Sequence, residues 1–224
     1  MYGLIKNIIQ QIKQFLTLGN QNSIIVSKGG FCMDDIKTKI LDKSKIKFDH
    51  FGFRKTTLDE IAQDCCISKK TIYKYFKDKE DLFTSLVINE TLKGRKMILE
   101  RVKNINDPVG WIEKFFIISV EYFTEDNFLT KILRDKGIQG SPFLSVDYYN
   151  MIEKDIISII SDVIKEGKSK GKIRDVDETV IAYACFKLFQ ALSYSKSDSL
   201  SNDEDKQKYY INSFLDFIKY GLLK

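Results

Sequence analysis

Apolar residues recur every three or four positions along most of this chain, and short polar, glycine- or proline-bearing breaks separate the runs. That period belongs to helices with one buried face. Ile36, Ile40, Ser44, Phe48 and Phe51 predict a first helix that starts at Met33 and stops at Gly52. In TTLDEIAQDC, Thr57 stands three residues before Glu60, the capping-box spacing, and Leu58, Ile61 and Ala62 supply the inner face of a second, shorter helix. Ser68 is placed to cap a third helix from Lys69 to about Tyr75, with Ile72 and Phe76 on its inner side. Asp78 is placed to cap a fourth that runs toward residue 103 on Leu82, Phe83, Leu86 and Val87. Asp107-Pro108 and Ser141-Pro142 each put a capping residue before a proline at the first helical position. Further helices are predicted at 108–124, 127–136, 142–168, 175–195 and 202–222, with the glycines and lysines of EGKSKGK closing the longest.

Composition agrees with an all-α protein, since 224 residues contain only 2 prolines and 12 glycines. The 36 Lys and Arg against 31 Asp and Glu leave a formal charge of +5, so the placement of charge says more than its sum. Cys32, Cys65, Cys66 and Cys185 have no framework spacing, and an adjacent pair makes no unstrained disulfide, which predicts a reduced, cytoplasmic protein. With one histidine, His50, there is no Cys/His zinc spacing. No nucleophile elbow, Walker loop or dinucleotide motif is present either, so no metal, no cofactor and no enzyme activity are expected. The most apolar run, Val180 to Leu192, is interrupted by Lys187 and Gln190 and is too short for a membrane span. Residues 1–32 stand apart: Leu4, Ile5, Ile8, Ile9, Ile12, Phe15 and Leu16 form one stripe beside Lys6, Lys13 and Lys28 with no acidic residue. A basic amphipathic leader of this kind would lie on a membrane or a protein, or act as a DNA-binding arm. The plainer reading is an over-called start, with translation beginning at Met33.

The second and third helices, joined by a tight turn, have the helix-turn-helix arrangement that sets a recognition helix into a major groove. Lys69 and Lys70 occupy the first turn of the third helix and Lys79 the first turn of the fourth, where the helix dipole favours acids. Such placement is explained by an external anion, and the phosphate backbone of double-stranded DNA supplies one. Thr56, Thr57 and Tyr73 are donors suited to that backbone. Lys69, Lys70, Thr71 and Lys74 are left to approach base edges. Any one of these lysines alone reads as an ordinary solvated charge; the set, with Tyr73 and Tyr75 off the apolar stripe, reads as a DNA-facing surface.

From Lys39 to Val87 the chain resembles the DNA-binding domain of the tetracycline-repressor (TetR) family of transcriptional regulators. The resemblance rests on Ile40-Leu41, Phe48, Gly52-Phe53, Thr57, Ile61-Ala62, Ile67-Ser68, Thr71, Tyr73, Phe76 and Lys79. It implies a helix-turn-helix three-helix domain over 33–79, with Ser68 to Tyr75 on the DNA, and a larger C-terminal helical ligand-binding and dimerisation domain over 80–224. Tyr73 and Lys79 would be phosphate contacts. Two positions depart from the pattern: Cys66 stands where the turn usually has glycine, and Lys47 where the first helix is commonly apolar. Oxidation at Cys65-Cys66 would disturb the adjacent recognition helix, although buried structural cysteine is the commoner role.

The segments near 175–195 and 202–222 are apolar on more than one face, which predicts that they pair with their copies in a homodimer. Aromatic residues concentrate between the two ends of the chain. Trp111, Phe115, Tyr122, Phe123, Tyr148, Tyr149 and Phe186 are candidates for a pocket that takes an apolar or aromatic small-molecule effector. The whole is expected to be a ligand-responsive repressor on a palindromic operator. The alternatives are a DNA-binding protein of the same fold without sensing, or a helical interaction module.

Overall fold

The structure, a computed structural model, describes residues 33–123, 126–134, 146–193 and 204–222. Every regular element among them is a helix: α1 Met33–Lys55, α2 Leu58–Asp64, α3 Lys69–Ile72, α4 Lys79–Val102, α5 Pro108–Tyr122, α6 Phe128–Arg134, α7 Val146–Ser169, α8 Glu178–Ser193 and α9 Glu204–Leu222. The 1–32 leader and the Ser141-Pro142 start lie outside the described residues. The chain divides into two compact units, Met1–Thr38 and Lys39–Lys224. The helix-turn-helix and all the helices after it belong to the second.

Ile40 and Phe48 of α1, Ile61 of α2, Ile72 of α3, Phe76 and the first turns of α4 are buried in one small core. Phe83 of α4 packs edge-on against Phe48, ring centroids 5.1 Å apart, and lies 4.9 Å from Phe53. Each such side chain removed from water contributes about 1.5–3 kcal/mol, which is what holds so short a helix as α3 in place. The first helix does break at Gly52, as its pattern predicts, with φ +76°. A last helical stretch nevertheless continues to Lys55. The capping box is present: Thr57 accepts from the Glu60 amide while the Glu60 carboxylate accepts from the Thr57 amide at 2.8 Å.

The third helix is shorter than its predicted Lys69–Tyr75. It ends at Ile72, and its chain leaves through tighter turns in which the Lys74 amide bonds to Thr71 and the Tyr75 amide to Ile72. The approaching start of α4 accounts for this, because the Asp81 carboxylate takes the Lys77 amide at 2.8 Å and pulls the chain out of helical register.

In the larger part, α7 and α8 pack on each other, and α5 touches α4, α7, α8 and α9. Phe116 of α5 sits at the centre of this packing, its ring 5.7 Å from Phe189 of α8 and 5.3 Å from Phe214 of α9. Among the described residues three ion pairs tie α1 to this part: Lys45 to Glu90 of α4 at 2.5 Å, Asp42 to Lys93 of α4 at 3.6 Å, and Asp49 to Lys131 of α6 at 2.8 Å.

The turn after α2 shows how Cys66 replaces glycine. The Ile67 amide bonds back to Ala62 and the Cys66 amide to Gln63, the paired bonds of a Schellman cap, with Cys66 at φ +53°. Its side chain is exposed, so it pays for the left-handed conformation in backbone strain rather than in lost packing. Lys47, the other departure, keeps its stem against the core edge and places its ammonium 3.4 Å from Asp64. Cys66→Gly is expected to raise unfolding stability by about 1 kcal/mol, read as a higher urea midpoint at unchanged slope; an unchanged or lower midpoint would show that the turn is unstrained.

Candidate nucleic-acid interface

The exposed surface around α3 is built from residues whose neighbours in sequence hold the backbone still. Ser68 caps α3 by accepting from the Thr71 amide at 3.2 Å, and the two hydroxyls lie 3.0 Å apart. Ile72 and Phe76 are buried beneath. Lys70, Tyr73 and Lys74 are therefore turned outward, and the Tyr73 ring is 50% exposed. Tyr75 is half-buried beside Phe76. Thr57 is exposed, with its hydroxyl 2.8 Å from Glu60. Lys69 is engaged: its ammonium lies 2.7 Å from Asp59 of α2, and this bond raises its pKa further.

Two predicted donors are placed otherwise. Thr56 is 1% exposed, with its hydroxyl 2.9 Å from the Gly52 carbonyl and 3.2 Å from that of Lys47, so it presents no hydroxyl to DNA. Lys79 does not waste its charge on its own helix start. Its ammonium reaches the carbonyls of Phe53 at 2.9 Å and Thr56 at 3.0 Å, and lies 4.4 Å from the centre of the Phe53 ring. A cation at the end of α1 is favoured by that helix's dipole. Lys79 thus fixes the joint between α1 and α2, and any phosphate it meets must share it with backbone oxygens.

Residues 40–86 match the family described as bacterial regulatory proteins, tetR family. The chain carries the DNA-binding domain of TetR-family transcriptional regulators. It is 28% identical over 161 residues to the HTH-type transcriptional regulator YhgD of Bacillus subtilis, covering 71% of this chain and 83% of that one. It is 24% identical over 191 residues to the fatty acid metabolism regulator protein of B. subtilis, covering 82% and 94%. A solved transcriptional regulator from Saccharomonospora viridis, in complex with choline, shares the fold with TM-score 0.69 at 16% identity, over 86% of this chain and 100% of that one. The matched domain and the similarity to YhgD make the chain a transcriptional regulator with a DNA-binding helix-turn-helix.

Beyond its DNA-binding domain the chain has an apolar cavity of about 120 Å³. Of the pocket candidates, Phe115, Tyr122, Phe123 and Phe186 are on its wall, and Trp111 is not. Trp111 is buried and stacked on Phe115, rings 5.2 Å apart and nearly parallel, as plain core. The side chains of Tyr148 and Tyr149 lie outside the described residues. The sequence reading missed the contribution of α4, which lines the cavity with Val87, Thr91, Gly94, Arg95, Ile98 and Leu99. Gly94 was the available signal, since a glycine inside a long helix costs about 1 kcal/mol relative to alanine and calls for a packing reason. The reason is Tyr122, whose ring would lie 2.6 Å from any Cβ at that position.

Glu90, one turn before Gly94, is a buried carboxylate that no sequence pattern announces. It is 5% exposed and receives Lys45 and, at 3.0 Å, Lys93. Burial pushes its carboxyl up, but the hydrogen bonds and charges of the two lysines outweigh it, and the net shift is downward. Burial also raises the pKa of the Cys65 thiol, and raises that of Cys185 to about 11, which makes these two poor thiolates.

Two measurements follow from this geometry. Lys79→Met is expected to lower the stability of the DNA-free protein by about 1–3 kcal/mol in chemical denaturation. Lys70→Ala and Lys74→Ala, at exposed positions, should change it by less than about 0.5 kcal/mol. For Glu90, a folded-state pKa below the unfolded one gives stability that is complete above about pH 4.3 and is lost as pH falls through the folded value. The stability gap between the native protein and Glu90→Gln should therefore narrow on acidification below about pH 4; a gap independent of pH would show that Glu90 is not charged in the fold.

Proposed function

We propose that the chain acts as a homodimeric, cytoplasmic repressor that binds a palindromic double-stranded operator and lets go when a small apolar or aromatic effector enters the cavity. The observation that carries this is the double duty of α4. Its first turns close the core under the recognition helix, and its middle turns wall the cavity. A ligand that binds one position of α4 better than another thereby biases the spacing of the DNA-reading surface. Thr57, Ser68, Lys69, Lys70, Thr71, Tyr73, Lys74 and Tyr75 would contact the operator. The name of the B. subtilis fatty acid metabolism regulator and the choline in the S. viridis structure support small-molecule sensing in this fold.

The dimer reading is supported by apolar side chains left uncovered on the last two helices. Val180, Tyr183 and Leu188 of α8, and Phe217 and Tyr220 of α9, are exposed, and the two helices pack on each other. Large apolar groups at adjacent positions are more than the scattered exposure of a monomer surface. No helix among the described residues is long and apolar enough to cross a membrane, so a bilayer does not account for them.

Mobility shifts on the intergenic DNA beside the protein's own gene should show sequence-preferring, salt-sensitive binding at two half-sites about one helical turn or a multiple apart. Phe217→Glu combined with Tyr220→Glu, at exposed positions that leave the core intact, is expected to halve the mass seen by light scattering. The same variant should weaken operator binding at least 100-fold. A dimer that survives the double change would move the interface elsewhere, and binding unaffected by any small apolar molecule would leave a regulator of this fold without sensing.

A further inference from the structure

Resting on the reading of the cavity as the effector site, we propose that it selects a small amphiphile with one carboxylate head on an apolar body, and that Arg95 takes the head. The argument starts from which polar groups on the wall still lack a partner. Thr91 and Ser119 give their hydroxyl protons to their own helices, to Val87 at 2.8 Å and Phe115 at 2.7 Å. Tyr122 is hydrogen-bonded to Asn127. Glu153 accepts the Lys187 ammonium at 2.6 Å. Arg95 differs. One terminal nitrogen, Nη1, lies 2.9 Å from Asp155, while its Nε–H is buried with no acceptor among the described residues. Buried donors in folded proteins are almost always satisfied, so an unfilled one on a cavity wall marks the place of an acceptor that no described residue brings.

The charge on Arg95 and the position of the open donor say what that acceptor is. Nε lies on the edge of the guanidinium that a carboxylate can take with two parallel hydrogen bonds. A carboxylate would also relieve Asp155, which is more exposed than Arg95 and free to turn to water. A cationic ligand is disfavoured by the same wall. Glu153, the acid on that wall, already accepts the Lys187 ammonium, so a quaternary ammonium would have to share it with one cation and lie beside a second, Arg95. The volume limits the body. At about 120 Å³ the cavity is somewhat smaller than the ~150 Å³ engineered cavity that admits benzene, so a body of no more than about six carbons fits.

Calorimetry on the 224-residue protein with hexanoate, 1-hexanol and hexyltrimethylammonium tests this, paired with release of operator DNA by each compound. Hexanoate is expected to bind at least about tenfold more tightly than hexanol and the ammonium, and to be the best releaser. Arg95→Met should abolish that preference while leaving hexanol affinity within about twofold, which also shows that the variant is folded. Asp155→Asn, which withdraws the competing acceptor, should strengthen hexanoate binding severalfold. Equal affinity for hexanol, a preference that survives Arg95→Met, or tighter binding of the ammonium would overturn the carboxylate assignment and leave the sensing cavity standing. If none of the three binds, the cavity is not an effector site, and both readings fall.

Discussion

Helix α4 has to be buried in two places at once, and most of the molecule can be understood from that demand. Near its start Leu82, Phe83 and Leu86 complete a core too small to stand without them. Further along, Ile98, Leu99 and Val102 are buried, and Gly94 gives Tyr122 room to lie on the helix itself. A helix that serves two cores cannot shift in one without disturbing the other. The fold therefore has a mechanical connection between its DNA-reading end and its cavity that requires no special pathway of residues.

Charge is arranged to hold that connection. Asp49–Lys131 and Lys45–Glu90 both run from α1 to helices that belong to the larger part. They differ in kind: Asp49 and Lys131 are partly exposed, where an ion pair is worth little, whereas Glu90 is buried and would be an uncompensated charge without its lysines. Lys79 belongs with Glu90 rather than with Lys70 and Lys74. Its hydrogen bonds to backbone carbonyls set the angle between α1 and α2, so a basic residue beside a DNA-reading helix is here part of the frame.

What could be read from the sequence follows from how local each device is. The Thr57–Glu60 box, the Ser68 and Asp78 caps and the proline at the start of α5 are decided within four residues, and all of them are in the structure. The framing role of Lys79 was not legible because the carbonyls it serves are 23 and 26 residues earlier. Thr56 was misread because a hydroxyl turned inward looks, in sequence, like one turned outward. The cavity was only half legible, since aromatic content locates a core but not the gap in it. Trp111, the largest of the candidates, proved to fill space where Gly94, the smallest residue of all, helps to leave it open.

Gly94 has one more consequence, and it concerns leverage. Glycine is the softest point in a helix, and this one lies well inside a 24-residue rod. At about 1.5 Å per residue, the stretch from Lys79 to Gly94 is an arm of about 22 Å. A bend of only about 5° at Gly94 would carry the far end through about 2 Å, which is comparable to the tolerance of a hydrogen bond to a phosphate or a base edge. The residue that makes room for a tyrosine ring is thus also the point where a bend of α4 would cost least, and any change in how Tyr122 lies on it would be felt at the far end of that arm.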